Sequence, residues 1–381
     1  MMKQLLGRYE AILNQLEGKG RRRKLSAQQG KDFTSNDYLG LAESQRLRES
    51  VVSALERGVP VGAGGSRLLR GNHSEHETLE SEAATFFRSE RMMYFGSGYA
   101  ANLAILATLP QRNDLIVYDE LIHASAHAGI AAGRSSSAVV PHNDLDATED
   151  VIRKWRQADG KGHPWIVVES LYSMDGDKAP LAGLMELADR YDGFLFVDEA
   201  HATGVHGTEG RGFAAELEGR DNVVVLHTCG KALGGEGALV GASGILCDYL
   251  INHARPFIYA TAPSPLMAAV VREALKILSD EPERRRKLHS MIACANEKVL
   301  GVLGRESSGS QILPIILGDN ARTLRVAEQM QADGFDIRAI RPPTVPANTA
   351  RLRVSVTLNV DLSTISRMFD RLATVIAETQ Q

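Results

Sequence analysis

The sequence predicts an α/β protein with a large domain, whose mostly parallel sheet carries helices on both faces, and a smaller α+β domain at the C-terminal end. Short apolar runs alternate with amphipathic helical patterns over 73–245, and long helical patterns follow. The 381 residues also exceed one ordinary compact core. We expect an N-terminal arm helix and short strand over 1–37, the large domain over 38–265 and the small domain over 266–381.

The N-terminal arm opens with a predicted helix over 3–17, where leucine and isoleucine recur at helical spacing opposite a polar face. A short strand near 32–34 and a helix over 44–56 come next. The following loop, 62–67, is dense in glycine, which lets its backbone approach a ligand or a neighbouring chain closely. It lacks the spacing of either nucleotide-binding fingerprint.

The central region predicts crossover units, because short apolar runs alternate with amphipathic helices. The predicted helices are 74–88, 98–109, 123–133, 144–158 and 181–191, and the predicted strands are 91–95, 115–118, 138–140, 165–168, 194–197, 223–226 and 238–245. Ligands of such sheets bind at the carboxyl ends of the strands. We therefore expect functional side chains directly after the apolar runs.

The C-terminal region predicts helices interleaved with three strands, which is typical of a small α+β domain. The predicted helices are 264–279, 284–303, 320–333 and 361–378, and the predicted strands are 312–317, 335–340 and 352–356.

Composition excludes several function classes. A net charge of -4 offers no general attraction to nucleic acid or to an anionic membrane, and no apolar run reaches the roughly 18 residues that span a bilayer. The three cysteines show neither CxxC nor metal-like spacing, so we expect no metal site and a reduced, cytoplasmic location. The basic run 21–24 is either a solvated face or an anion site.

A lysine in a glycine-rich turn is the central candidate. Lys231 lies in the sequence Thr228-Cys229-Gly230-Lys231-Ala232-Leu233-Gly234-Gly235, directly after the apolar run 223–226. A desolvated amine at such a position is a nucleophile toward carbonyls, so Lys231 is a candidate anchor for an aldehyde cofactor. Lysines near loops are also commonly solvated surface charges, and the turn alone leaves both interpretations open.

Two further candidates follow the apolar run 194–197, in Asp198-Glu199-Ala200-His201. These four letters also occur in helicases, but a helicase requires a P-loop that this sequence lacks. Asp198 emerges from a buried strand, where a carboxylate needs a cationic partner such as a protonated pyridine ring. This charge pair would keep the ring nitrogen protonated and make the ring an electron sink. His201 is placed to hydrogen-bond that ring's phenolic oxygen. The alternative role for Asp198 is a helix cap, and the alternative role for His201 is that of a packed polar side chain.

The remaining candidates also follow strands. Gly98 and Tyr99 begin a helix whose amides and dipole favour a phosphate, and the hydroxyl of Thr228 is a further phosphate ligand, although a plain capping turn explains the same residues. His123 begins the helix after 115–118 and is a candidate to stack on a planar ring. Glu169 and Ser173 follow the run 165–168 on the same edge.

Taken together, these residues resemble the α-oxoamine synthases, a branch of the fold-type I (aspartate aminotransferase-like) pyridoxal 5'-phosphate (PLP) enzymes. The resemblance covers almost the whole chain. The motifs that carry it are Ser35-Asn36-Asp37-Tyr38-Leu39-Gly40-Leu41, the segment 62–71 with His76-Glu77-Thr78-Leu79-Glu80, Ser173-Met174-Asp175-Gly176-Asp177, Asp198-Glu199-Ala200-His201, Gly230-Lys231-Ala232, Arg341-Pro342-Pro343-Thr344-Val345-Pro346 and Thr349-Ala350-Arg351-Leu352-Arg353.

The resemblance implies a role for each candidate. It makes Lys231 the Schiff-base lysine, His123 the ring stacker, Asp198 the partner of the ring nitrogen and His201 the partner of the phenolic oxygen. It places PLP's phosphate at Gly98, Tyr99 and Thr228, with Glu169 and Ser173 also in the cofactor site. It implies a homodimer in which a hydroxyl near Thr261 reaches the other subunit's phosphate.

The resemblance also implies substrates. Arg353 is assigned to the amino-acid carboxylate, Arg21 and Arg341 to the acyl substrate, and Asn36 to the substrate site. The C-terminal motifs are most similar to family members of biotin biosynthesis, which condense L-alanine with a pimeloyl thioester of coenzyme A or acyl carrier protein. Sister enzymes that join glycine to acetyl-CoA or succinyl-CoA, or serine to a long acyl chain, and signal-molecule synthases, are alternatives. A catalytically silent cofactor-binding regulator is the alternative of another class.

Overall fold

The computed structural model describes residues 2–379, which form two compact units. The larger unit comprises 36–173 and 177–288. The smaller unit comprises the N-terminal residues up to Ser35, the short segment 174–176 and the C-terminal residues from His289. The predicted domains 1–37, 38–265 and 266–381 stay a prediction, because a unit defined by packing is not necessarily an independently folding domain.

Twelve β-strands occur within residues 2–379. They are β1 (Lys31–Asp32), β2 (Arg91–Phe95), β3 (Leu115–Asp119), β4 (Ser136–Val140), β5 (Pro164–Glu169), β6 (Phe194–Asp198), β7 (Val223–Thr228), β8 (Ala238–Ala242), β9 (Ile312–Gly318), β10 (Phe335–Asp336), β11 (Arg338–Ile340) and β12 (Ala350–Ser355).

Thirteen α-helices are described over the same residues. They are α1 (Met2–Gly18), α2 (Gln45–Glu56), α3 (Ser74–Phe87), α4 (Gly98–Thr108), α5 (Ala124–Ala132), α6 (Leu145–Gln157), α7 (Leu181–Arg190), α8 (Gly244–His253), α9 (Arg255–Ile258), α10 (Pro265–Asp280), α11 (Pro282–Leu303), α12 (Asn320–Ala332) and α13 (Leu362–Glu378). Within residues 2–379, none of them combines the length and the apolar composition needed to cross a membrane.

The larger unit is built on a seven-stranded sheet with the strand order β2-β8-β7-β6-β5-β3-β4. All of its strands run parallel except β8, which is antiparallel to both of its neighbours, β2 and β7. The predicted mostly parallel sheet is therefore confirmed. Because β3, β5, β6 and β7 point the same way, the residues that follow them lie along one edge of the sheet.

Both faces of this sheet are covered by helices, as the near-continuous apolar strands predict. Along β5, Trp165 and Val167 join a buried cluster with α4, α5, α8 and α9. The alternate residues Ile166 and Val168 join a second buried cluster with α6 and α7. Successive side chains of a strand point to opposite faces, so one short run supplies two cores.

Side-chain caps explain where several helices begin. A side-chain oxygen that accepts a hydrogen bond from an amide of the first turn satisfies a donor that the helix leaves without a partner. Such caps are provided to α4, α6, α10, α12 and α13 by Ser97, Asp144, Ser264, Asp319 and Asp361.

The smaller unit contains a three-stranded antiparallel sheet, β11-β12-β9, and a two-stranded parallel pair, β1 and β10. The single strand predicted over 335–340 is wrong. The run divides at Ile337, with β10 pairing with β1 and β11 pairing with β12. The cause is tertiary, because the two halves pair with strands from different parts of the chain, and at the break the Ile337 carbonyl accepts a hydrogen bond from Gln331 Nε2 at 2.7 Å.

Two smaller differences concern the larger unit. The strand predicted over 238–245 ends at Ala242, because Ser243 turns the chain into α8. Neither α8 nor the short helix α9 was predicted, because the predicted strand extended to 245 and the four residues of α9 show no helical period.

A histidine clamp lies where β3 and β4 end. His142 Nδ1 is 3.0 Å from Asp119 Oδ1, and His142 Nε2 is 2.6 Å from Asp177 Oδ2. Burial alone would lower the pKa of His142, but the two carboxylates outweigh it and raise the pKa to about 10. The imidazolium of His142 therefore links Asp119 to Asp177, two residues of the larger unit that lie 58 positions apart in sequence.

We predict that His142→Gln destabilises the fold in a pH-dependent manner. A histidine whose pKa rises from 6.5 to about 10 on folding stabilises the protein fully below pH 6.5, and this contribution is lost as the pH rises through 10. Urea unfolding should show a large gap between wild type and variant at pH 6 and a smaller gap at pH 9.5. A gap that stays constant or widens with pH would contradict the charged clamp.

Candidate active site

Lys231 lies in a tight turn after β7. Within the turn, Gly234 N–H donates to the Lys231 carbonyl and Gly235 N–H donates to the Cys229 carbonyl, each at 2.9 Å. Gly234 has a φ of +62°, and a Cβ added there would lie 2.5 Å from the carbonyl carbon of Leu41. Only glycine fits at that point, so the backbone that presents Lys231 is fixed.

The amine of Lys231 faces a histidine. Lys231 Nζ lies 2.8 Å from His201 Nε2, and His201 Nδ1 lies 2.7 Å from the hydroxyl of Tyr38. His201 is buried, and Lys231 is partly buried. The two residues predicted from separate strand ends are thus in direct contact.

Asp198 ends β6 as a buried carboxylate. Its Oδ2 accepts a hydrogen bond from Asn102 Nδ2 at 2.8 Å, and its Oδ1 accepts one from Ala200 N–H at 2.9 Å. Among residues 2–379, no cationic side chain forms a salt bridge with it. A buried anion without a paired cation is costly, so this carboxylate fits a cationic ligand.

A second acid lies beside Asp198. Glu169 ends β5 and is paired in register with Asp198 on β6. Burial, and then the charge of Asp198, raise the pKa of Glu169 well above its usual range. Its Oε2 accepts a hydrogen bond from Ser173 N–H at 3.0 Å, whereas Oε1 is buried with no hydrogen-bond partner in the part of the chain that the structure describes.

His123 caps α5 from the next strand end. Its Nδ1 lies 2.7 Å from the hydroxyl of Ser125, and that hydroxyl accepts a hydrogen bond from Asn102 Nδ2 at 2.9 Å. The ring is open to solvent on one side, but desolvation by the surrounding protein lowers the pKa of His123. A neutral imidazole at neutral pH is the form suited to lie against an aromatic ring.

The candidate phosphate site combines a helix N-terminus with a hydroxyl. Gly98 and Tyr99 form the first turn of α4, and a Cβ added to Gly98 would come within 3.5 Å of Thr228 Oγ1, so the two segments adjoin. First-turn amides lack partners within a helix, and the positive end of the dipole adds to them. The arrangement suits an anion.

The other predicted residues are distributed over both units. Asn36, in the larger unit, accepts a hydrogen bond on Oδ1 from the Tyr38 hydroxyl at 3.1 Å. Thr261 is exposed in the segment before α10. In the smaller unit, Arg353 is buried on β12 and donates from Nη1 to Ser355 Oγ at 2.8 Å.

A cavity of about 540 Å³ in the smaller unit contains Arg21 and Arg341. Arg341 Nη1 also donates to the carbonyl of Gly20. Arginines thus share the cavity with an apolar wall. Its lining residues are Leu13, Leu16, Arg21, Arg22, Arg23, Ala339, Ile340, Arg341, Pro342, Pro343 and Thr344.

Sequence reasoning missed Asn102 and Tyr38. Asn102 is buried in the apolar helix α4 and donates to both Asp198 and Ser125. An amide at a core-facing position of an apolar helix was the available signal. Tyr38 stands in a motif that carries the family resemblance, but that motif does not indicate its contact with His201, which is 163 residues away. Among the residues that the structure describes, no group of three or more His, Cys, Asp or Glu side chains is arranged to hold a metal ion.

We predict that Asn102→Ala destabilises the protein by about 1–3 kcal/mol, because a buried carboxylate then loses a donor. Urea unfolding of the variant at pH 7 measures the loss. Asn252→Ala is the control, since Asn252 donates only to an exposed helix carbonyl. Equal unfolding free energies for Asn102→Ala and wild type would contradict the role given to this amide.

Comparison with known proteins identifies the family. The model of the family "Aminotransferase class I and II" matches residues 29–372. The 8-amino-7-oxononanoate synthase of Chromobacterium violaceum is 40% identical over 343 residues, which are 89% of this chain and 87% of that relative.

Two solved structures are similar over almost the whole chain. An 8-amino-7-oxononanoate synthase from Francisella tularensis is 28% identical with a TM-score of 0.78, covering 92% of this chain and 99% of that one. A serine palmitoyltransferase from S. paucimobilis, solved with bound PLP, is 23% identical with a TM-score of 0.88, covering 99% and 100%. The chain belongs to the aminotransferase class I and II family and, within it, to the α-oxoamine synthases.

Proposed function

We propose that the chain is a PLP-dependent acyltransferase that condenses L-alanine with a pimeloyl thioester. The products are 8-amino-7-oxononanoate, carbon dioxide and the free thiol, and the reaction belongs to biotin biosynthesis. The names of the curated relatives support the reaction. The observation that carries the chemistry is Asp198, a buried carboxylate without a paired cation, in the same unit as a lysine amine held against His201.

The residues present fit PLP. Its protonated ring nitrogen supplies the cation that Asp198 lacks, and its polar groups suit the buried Glu169 Oε1, which has no partner among residues 2–379. Gly98, Tyr99 and Thr228 would hold its phosphate, and Lys231 would bond to its aldehyde carbon. When bound, PLP withdraws electrons from the amino acid's α-carbon, so that a proton or a carboxylate can leave.

The side chains around Lys231 prepare its amine for proton transfer. Lys231 is partly buried and its Nζ lies against His201, so the amine carries less solvent than that of a surface lysine. With alanine bound, Lys231 Nζ would be the general base that removes its α-proton. Asp198, whose buried carboxylate accepts a hydrogen bond from Asn102 at 2.8 Å, would keep the ring nitrogen of the bound cofactor protonated.

His123 and His201 orient the reacting groups. The cap that His123 forms on α5 fixes its ring, and desolvation lowers its pKa, so a neutral ring is presented for stacking. His201 is proposed to hydrogen-bond the phenolic oxygen of the cofactor. Ser173 and Glu169 complete the cofactor site, with Ser173 N–H donating to Glu169 Oε2.

Cationic side chains are proposed to select the substrates. The planar guanidinium of Arg353 would bind the carboxylate of alanine through two parallel hydrogen bonds. Asn36 is proposed to belong to the substrate site. Arg21 and Arg341 would bind the distal carboxylate of the pimeloyl chain. The cavity that contains them supports this, because it combines arginines with an apolar wall, as a chain with a charged end requires.

The assembly and the acyl carrier are further proposals. The chain is proposed to form a homodimer, with Thr261 reaching the partner subunit's phosphate site, and to act in the cytoplasm. The thioester carrier is coenzyme A or an acyl carrier protein. A sister synthase with another amino acid and acyl chain is the second candidate, favoured by the fold shared with serine palmitoyltransferase.

A substrate panel tests the proposed reaction. Purified holoenzyme is assayed with alanine, glycine and serine against pimeloyl, acetyl, succinyl and palmitoyl thioesters, and the released thiol and the product mass are measured. We expect turnover with alanine and a pimeloyl thioester at least tenfold above every other pair. A preference for another pair would replace the proposed reaction by that of a sister synthase.

We predict that Lys231→Ala abolishes covalent attachment of the cofactor and lowers turnover by a factor of at least 10³, because both the anchor and the base are lost. Mass spectrometry after borohydride reduction measures the attachment. Lys276→Ala, an exposed lysine paired with Glu273, should keep the adduct and the wild-type rate. A Lys231→Ala enzyme that still turns over alanine normally would exclude the assignment.

We predict that Asp198→Asn retains PLP but loses carbanion chemistry, because a neutral amide does not hold a proton on the ring nitrogen. Exchange of the alanine α-proton in deuterated water, followed by proton NMR, should fall by about 100-fold or more. Asp189→Asn, at a surface pair with Arg220, is the matched control. Unchanged exchange in Asp198→Asn would refute the electron-sink role.

A further inference from the structure

A line of four polar side chains in the larger unit connects the end of β6 with the segment after β3. Asp198 Oδ2 accepts a hydrogen bond from Asn102 Nδ2 at 2.8 Å, and the same nitrogen donates to Ser125 Oγ at 2.9 Å. Ser125 Oγ in turn lies 2.7 Å from His123 Nδ1. Asp198 and His123 have roles in the proposed function, and Asn102 orients Asp198. Ser125 is the one member of the line without a role.

The direction of the bonds at Asn102 follows from the carboxylate that it faces. Asp198 accepts and does not donate, so the Asn102 atom beside it is the amide nitrogen. Asn102 Oδ1 is buried with no hydrogen-bond partner among residues 2–379, so no contact on the oxygen opposes this orientation. The same nitrogen faces Ser125, and the Ser125 oxygen is therefore an acceptor toward Asn102.

At the other end of the line, His123 Nδ1 is an acceptor. The backbone N–H of Ser125 donates to it at 3.3 Å, in the cap that begins α5. A backbone N–H can only donate, so this contact requires a lone pair on Nδ1 and places the proton of a neutral ring on Nε2. The Ser125 hydroxyl has no other acceptor among the residues that the structure describes, so it directs its own proton to the same Nδ1.

The packing of α4 against α5 keeps the line in place. Asn102 on α4 and Ser125 on α5 are both buried, so neither can exchange its partner for bulk water. A Cβ added to Gly129 of α5 would lie 2.8 Å from the Asn102 carbonyl oxygen. The two helices therefore approach each other closely, and the amide of Asn102 stays within reach of the Ser125 hydroxyl.

We propose that Ser125 is a positioning residue that, together with Asn102, holds His123 in its neutral Nε2–H tautomer. The proposal rests on the proposed function for its catalytic consequence, because the ring that His123 would lay against the cofactor is then uncharged. With Nδ1 occupied by Ser125, the ring presents a donor, Nε2–H, at its other edge. The charge of Asp198 and the proton of His123 are thus linked through two uncharged side chains.

Other groups also act on His123. Burial is the largest influence and lowers the pKa of His123, the charge of Asp198 raises it, and Lys231 and His127 lower it. A hydrogen bond that Ser125 donates to the neutral ring favours that form, so it acts in the same direction as burial. Removing the hydroxyl should therefore raise the pKa of His123 and allow a proton to occupy Nδ1.

Ser125→Ala tests the proposal, because it removes the hydroxyl and keeps the backbone amide. The PLP-loaded protein carries ¹⁵N in its histidine rings, and solid-state NMR at pH 8 assigns the protonated nitrogen of each neutral ring. The His123 signal is the one lost in His123→Asn, an identification that the 11 histidines of the chain make necessary. We expect wild-type His123 to carry its proton on Nε2. In Ser125→Ala the tautomer ratio should shift about fivefold toward Nδ1–H, and a pH series should show a higher pKa for His123.

Ser89→Ala is the matched control. It removes a buried hydroxyl that donates to the Arg91 carbonyl at 3.2 Å, and it should leave the His123 signal unchanged. A wild-type His123 with its proton on Nδ1 overturns the proposal, even if Ser125→Ala fails to fold. An unchanged tautomer ratio in a folded Ser125→Ala also overturns it. The tautomer is measured without turnover, so a substrate panel that favours another reaction replaces the proposed function alone.

Discussion

The cost of burying one carboxylate organises the larger unit. Removing an ion from water costs several kcal/mol unless donors or a countercharge replace the solvent. Asp198 has two such donors, Asn102 Nδ2 and the Ala200 amide, and they come from α4 and from the turn after β6. Neither supplies a full positive charge. The carboxylate therefore suits a cationic partner, and α4 and the turn after β6 position the two donors that it has.

The register between β5 and β6 extends this constraint to Glu169, on the neighbouring strand. Pairing of β5 with β6 sets Glu169 directly beside Asp198, and a like charge beside a buried acid disfavours its ionised form. Burial, and then the charge of Asp198, raise the pKa of Glu169, so the sheet brings together two acids whose surroundings treat their protons differently. Shifting either strand by one residue would turn one of the two side chains to the opposite face.

Much of the fold was predictable because its signals are local. Apolar runs followed by polar groups identified the strand ends that carry Lys231, Asp198 and His201, and alternation with helices identified a mostly parallel sheet. Asn102 and Tyr38 were not found, because their partners depend on how distant strands and turns are placed. The run 335–340 was misjudged for the same reason, since its two halves pair with β1 and β12, which lie in different parts of the chain.

The strand order has a consequence for how the chain is made. β2 is the first strand of the large sheet to be synthesised, yet its one neighbour is β8. Arg91 in β2 therefore has no strand partner until Ala242 in β8 has been made. β1 stays unpaired for longer, because its partner β10 begins at Phe335. A nascent chain on the ribosome thus carries unpaired strand edges until most of it has emerged, and such edges invite aggregation. The large sheet can close over β2 only once β8 has been made, and the pair β1–β10 only once residue 336 has been made.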